Sequence, residues 1–165
     1  MRQILEWQET NHGAKLLRMW GESPVVTVPE TVEGVPIAAI GARCFSSATP
    51  EVRGAVRQTA EGGAKKEELT LLCGNYLEEV YLPQTVTLLE NAAFYNCRRL
   101  RRLSFGPALQ QVGSDLFLNC WELHHLTLLG DPTVPSGLRK LLGSLSWDVW
   151  AAFVQNGAVT ARLFY

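Results

Sequence analysis

No stretch of this chain is long and apolar enough to suggest a membrane span, which needs roughly 20 consecutive apolar residues. Positive charge is not in excess either. The 15 lysines and arginines stand against 16 acidic residues, for a formal charge of -1 and a pI near 6.3, which argues against a general nucleic-acid binder. The four cysteines, Cys44, Cys73, Cys97 and Cys120, lie 29, 24 and 23 residues apart, so no CxxC spacing offers a zinc site. A P-loop, a dinucleotide-binding glycine fingerprint after a strand and an HExxH motif are all missing, and no cofactor or metal is expected. The opening MRQILEWQET breaks its apolar character at once with Glu6, Gln8 and Glu9, unlike a secretory signal. This predicts a cytoplasmic protein, or a cell-surface one if a leader has been removed.

What is present is a folded composition, 47% hydrophobic and 19% charged, with one dominant period. The 165 residues fit one domain or one capped repeat array. Leu77, Leu100 and Leu123 are 23 residues apart and head segments that superpose without a gap. Val80, Leu103 and Leu126 align in that register, as do Leu82, Phe105 and Leu128. So do the pairs Val86/Leu109, Leu89/Val112, Phe94/Phe117, Asn96/Asn119 and Cys97/Cys120. Units of this length cannot bury their own apolar face and must stack on their neighbours.

Within one unit, the alternation Glu79, Val80, Tyr81, Leu82 predicts a short strand with Val80 and Leu82 inward, closed by Pro83. Val86, Leu88 and Leu89 form a second short extended or turning stretch whose apolar members again face inward. Asn91 is placed to cap a single helical turn over 92–95, as Ser114 is over 115–118. Cys97 and Cys120 would lie in consecutive turns of the chain within disulfide reach, but cysteine also packs as a small hydrophobe, and a free buried pair is expected.

An earlier unit starts at Val26, Val28 and Pro29 and continues to Ile40 and Phe45, with five extra residues placed in a Gly34-Pro36 turn. From Phe45 to Phe94 there are 49 steps, read as two periods plus three, which leaves room for one degraded unit. Helices are predicted over 50–58 and 66–72, separated by Gly62-Gly63, as an excursion beside the stack. Ahead of it, strands over 3–8 and 15–20 around Asn11-His12-Gly13 predict a hairpin cap. Beyond Gly130 the period stops. Helices are predicted over 138–145 and 147–155, and AVTARLFY has strand character.

The segments VTVPETVEGVPIAAIGARCF and VYLPQTVTLLENAAFYNCRRL closely resemble the BspA-like leucine-rich repeats of bacterial proteins over about Val25 to Leu128. The resemblance implies a curved right-handed solenoid associated with adhesion or protein binding. The fold class expected is therefore α/β, a short right-handed leucine-rich-repeat solenoid of period 23. Its parts would be a hairpin cap at 1–24, the solenoid at 25–130 with a helical excursion at 48–73, and a helical cap or the start of a following domain at 131–165.

On the solvent side the period places Glu79, Arg102 and His125 in one column, Tyr81, Ser104 and Thr127 in the next, and Glu78, Arg101 and His124 in a third. These columns can form a recognition face with Tyr81 as its aromatic anchor, or a charge ladder that keeps an exposed face in water. The basic run Arg98, Arg99, Arg101 and Arg102 could hold phosphate, but Glu78 and Glu79 lie one coil away and offset it. His124-His125 beside Cys120 make a poor metal site, since the cysteine faces the core. Ser104 and His125 lack a third partner in register for nucleophilic catalysis. Trp147, Trp150, Phe153 and Val154 share one helical face, which either covers the last coil or meets another chain. The function expected is a non-enzymatic module that binds an unidentified protein through Glu79, Tyr81, Arg102, Ser104, His125 and Thr127, with possible contact through Trp147, Trp150 and Phe153. Neither nucleic acid nor membrane is expected as a partner. A scaffold for a region beyond residue 165 is the alternative.

Overall fold

The computed structural model describes residues 1–145, 150 and 158–162. Strands β1 (Gln3–Thr10) and β2 (Gly13–Gly21) pair antiparallel around a two-residue turn, as the alternating pattern requires. The chain then makes β3 (Val25–Thr27), followed by a small hairpin of β4 (Thr31–Val32) and β5 (Val35–Ile40). Glu33 and Gly34 both take positive φ, 49° and 79°, which is the type I′ geometry that a two-residue hairpin favours. This turn accommodates the extra residues expected there.

Strands β6 (Arg57–Glu61) and β7 (Thr70–Leu71) come next, then β8 (Glu79–Tyr81), β9 (Leu88–Leu89), β10 (Arg102–Phe105), β11 (Gln111–Val112) and β12 (His125–Leu129). One short helix, α1 (Leu138–Gly143), and β13 (Ala158–Arg162) complete the described elements. The molecule is thus mostly β-sheet with few and short helices, and the expected α/β class is corrected. Helix α1 falls within the predicted 138–145. Of the helix expected over 147–155, all but Trp150 lies outside the described residues.

Two open sheets result. The first runs β11-β9-β5-β2-β1-β6, with β4 on β5 and β7 on β2; the second runs β13-β12-β10-β8-β3. In the second sheet Arg102 pairs in parallel with Glu79 on one side and His125 on the other, and Leu103 lies between Val80 and Leu126. In the first, Leu89 lies between Ile40 and Val112. Val26, Val80, Leu103 and Leu126 from one sheet and Leu16, Ile40 and Leu89 from the other share a single buried core. Leu88, expected inward, is only half-buried.

Phe45, Phe94 and Phe117 stack ring on ring inside this core, with centroids 5.5 Å and 5.7 Å apart. Phe45 therefore lies directly against Phe94, and β3 pairs directly with β8. No degraded unit stands between them. The carbonyls explain the spacing. Phe94 O accepts from the Cys97 amide at 3.1 Å and from Cys120 Sγ at 3.1 Å. Phe45 O accepts from the Gly74 amide at 2.9 Å and from Cys97 Sγ at 3.1 Å. Gly74 thus occupies in the first coil the place of Cys97 in the second. The 49 steps from Phe45 to Phe94 are one period of 23 plus an insertion of 26.

That insertion is not helical, apart from single 3-10 turns at Lys66–Glu68 and Gly74–Tyr76. Arg57–Glu61 instead adds to the edge of β1, and Thr70–Leu71 pairs with the end of β2. The edge of β1 offers unpaired backbone groups, and side chains reinforce the docking. Trp7 Nε1 donates to Thr59 Oγ1 at 2.9 Å, Arg57 lies over the Trp7 ring, and Arg57 pairs with Glu9 at 2.9 Å.

The stretches around Phe45, Phe94 and Phe117, the last two expected as helical turns, are hydrogen-bonded turns, with Tyr95 N donating to Ala92 O at 3.0 Å and Leu118 N to Asp115 O at 3.4 Å. Each begins with a left-handed residue two positions before the phenylalanine: Arg43 (φ 57°), Ala92 (58°) and Asp115 (53°). Asn91 does not cap its own coil; its Oδ1 accepts the Ser114 amide of the next coil at 2.8 Å. Backbone bonds such as Phe45 N to Ala93 O and Phe94 N to Leu116 O run between coils here too, so the turns gain by pairing with each other instead of winding into helices.

Candidate partner-binding face

Parallel pairing of β8, β10 and β12 fixes which side chains meet. With Val80, Leu103 and Leu126 turned into the core, Glu79, Arg102 and His125 fall in one column and Tyr81, Ser104 and Thr127 in the next. Glu79, Tyr81, Arg102 and His125 are half-buried. Ser104 and Thr127 are buried, at 1% and 6% exposure, so the second column presents only Tyr81 to solvent. Their side chains are short, and β13 lies alongside β12, where Thr160 Oγ1 comes within 3.2 Å of Thr127 Oγ1.

Glu79, Tyr81 and Arg102 form one charged network with Glu78 and the exposed Arg101. Tyr81 OH donates to Glu79 Oε1 at 2.6 Å, and Arg101 reaches Glu79 Oε2 at 2.7 Å and Glu78 Oε1 at 3.0 Å. Arg102 Nε lies 3.7 Å from Glu79. The phenol hydrogen bond, then that of Arg101, hold the Glu79 carboxyl below its ordinary pKa. His125 is pushed below its ordinary value by burial, then by Arg102 and His124. Its Nε2 sits 3.0 Å from Thr160 Oγ1, so the imidazole is directed at β13 and not at Ser104.

The run of four arginines divides. Arg101 and Arg102 face the carboxylates of the preceding coil. Arg98 and Arg99 are exposed in the turn before β10, and no carboxylate among the described residues comes within ion-pair distance of them. Arg98 lies instead over the ring of Trp121, 5.2 Å from its centroid, and Trp121 is 49% exposed. Sequence reading missed Trp121. The available signal was its place one period after Arg98, outside the strand alternation that assigns residues to the core.

The cysteines are free: Cys44, Cys97 and Cys120 are buried and Cys73 is half-buried. Burial pushes the Cys120 thiol up to about 12 and raises Cys44 and Cys97 as well, which makes them inert packing groups and not nucleophiles. No cluster of metal-ligating side chains occurs among the described residues, and no described helix is long and apolar enough to cross a membrane. A concavity of about 850 Å³ lies away from this face, beside β9, β11 and α1. Its charged groups are already engaged, Glu90 with Lys15 at 3.1 Å and Lys140 with Gln110 O at 2.6 Å. Trp150, from the anticipated second contact surface, is 38% exposed, whereas Trp147 and Phe153 lie outside the described residues.

Residues 70–136 match the family described as BspA type Leucine rich repeat region (6 copies). This segment is similar to BspA-type leucine rich repeats. The match contains β8, β10 and β12, and hence Glu79, Tyr81, Arg102, Ser104, His125 and Thr127. The earlier unit at 25–45 lies outside it, although β3 pairs with β8 as β8 does with β10. Among solved structures, the crystal structure of the T. pallidum leucine rich repeat protein is similar over 96% of this chain and 79% of that one, at 14% identity and a TM-score of 0.45. No curated protein matches.

Proposed function

We propose that the chain is a short solenoid of 23-residue coils that acts as a non-enzymatic protein-binding module, with the exposed side of the strand ladder as its binding face. Leucine rich repeat regions commonly mediate protein–protein interaction. The observation that carries the reading is the network in which Tyr81 and Arg101 are hydrogen-bonded to Glu79, with Arg102 within ion-pair distance of the same carboxylate. Groups already fixed in place lose little conformational freedom when a partner arrives, and tyrosine and arginine are the side chains most enriched at interface hot spots. Ser104 and Thr127 shape the floor of that face and do not touch the partner.

The double variant Tyr81→Ala with Arg102→Glu should abolish capture of the protein that co-purifies with the wild type, with thermal stability nearly unchanged. Retained capture by a folded double variant would reject the face.

A further inference from the structure

Arg98, Arg99 and Trp121 stand apart from the ladder face. The two guanidinium groups are exposed and lack a carboxylate partner among the described residues, while Arg101 and Arg102 are engaged by Glu78 and Glu79. Trp121 exposes half of its surface and carries Arg98 across its ring. Stacking uses the face of a guanidinium and leaves its N–H donors available for carboxylate oxygens. A large aromatic surface next to two unspent cations is therefore ready for a ligand that brings both carboxylates and an apolar side chain.

We propose that this patch docks an acidic peptide segment of a partner protein, with its carboxylates on Arg98 and Arg99 and an aromatic or aliphatic side chain on Trp121. The proposal rests on the protein-binding reading but on different side chains. Charge complementarity favours a peptide over a nucleic acid. The unengaged basic surface is only two cations wide, with Glu122 one period after Arg99 and Arg101 already taken by Glu78 and Glu79, which is too short for the run of phosphates that a nucleic acid presents but enough for a short acidic segment.

The test uses the full chain and a fluorescent peptide of about nine residues, glutamates around a central tyrosine, followed by anisotropy at low salt. A glutamine version and a single-stranded oligothymidine serve as controls. The acidic peptide should bind, lose affinity as salt is raised, and exceed both controls. Arg99→Glu and Trp121→Ala should each weaken it by about fivefold or more, and Arg102→Glu by less than about twofold. No binding of the acidic peptide, or binding unchanged in Arg99→Glu and Trp121→Ala, would overturn the patch. Binding lost in Arg102→Glu alone would reject the patch while upholding the ladder face. Oligothymidine binding that exceeds the peptide and vanishes in Arg99→Glu would show a nucleic-acid surface instead.

Discussion

Ala92 holds a left-handed conformation at φ 58°, and Arg43 and Asp115 do the same at 57° and 53°, so the strain belongs to the repeat and not to one side chain. Alanine gains nothing locally from that region, and glycine enters it without a Cβ clash. Ala92→Gly should therefore stabilise the protein by about 0.5–1 kcal/mol in urea unfolding, net of the entropy glycine loses on folding. Destabilisation of that size would show that the turn is not strained. A second residue-scale outcome concerns Glu79, whose folded pKa is depressed first by the Tyr81 hydroxyl. A depressed carboxyl contributes stability that is present above its unfolded pKa and lost as pH falls through the folded one. Tyr81→Phe should move the Glu79 titration upward, seen by carboxyl carbon NMR, and shift that loss of stability to higher pH. An unmoved titration would mean that the hydroxyl does not set it. At this scale the sequence revealed which residues share a column, because alternation and period are both written in apolar positions. It hid which of them are covered, since the short Ser104 lies between Tyr81 and Thr127, and Thr127 lies against Thr160 of β13, which the repeat does not contain.

Between elements, the aromatic column and the close contact of adjacent turns dominate. Phe94 is fully buried between Phe45 and Phe117, and Phe94→Ala should cost about 3–5 kcal/mol by chemical denaturation. A cost below about 1 kcal/mol would mean that the column is not packed. Gly113 faces Asn91 of the preceding coil so closely that a Cβ would run into both its backbone nitrogen and its side-chain oxygen. Gly113→Ala should thus lower the melting temperature markedly, and an unchanged value would deny the close approach. The strands were legible and the insertion was not. Residues 57–61, RQTAE, carry residues with respectable helix propensity, yet they form a strand because β1 offers an open edge and Trp7 a partner for Thr59 and Arg57. Likewise, 49 steps divide almost as well into two periods as into one period and an insertion, and only the contact of Phe45 with Phe94 decides between them.

Over the whole molecule, the N-terminal hairpin, the insertion and the repeats share one continuous sheet, because β2 pairs with β5, which in turn pairs with β9. The hairpin is therefore continuous with the sheet that carries β9 and β11, and the insertion extends it by adding β6 to β1. This arrangement leaves the other sheet, with Glu79, Tyr81, Arg102 and His125, free of the insertion, and the repeat turns before it free to carry Arg98 and Trp121. Both proposed surfaces depend on the same premise, that the unit at 77–97 lies immediately on the unit at 100–120, as it does on the unit at 25–45. Ring-to-ring nuclear Overhauser effects among specifically labelled phenylalanines test it most directly. Cross-peaks should join Phe45 to Phe94 and Phe94 to Phe117 but not Phe45 to Phe117; no cross-peak between Phe94 and Phe117 in the folded protein would contradict the stacking and both proposed surfaces built on it.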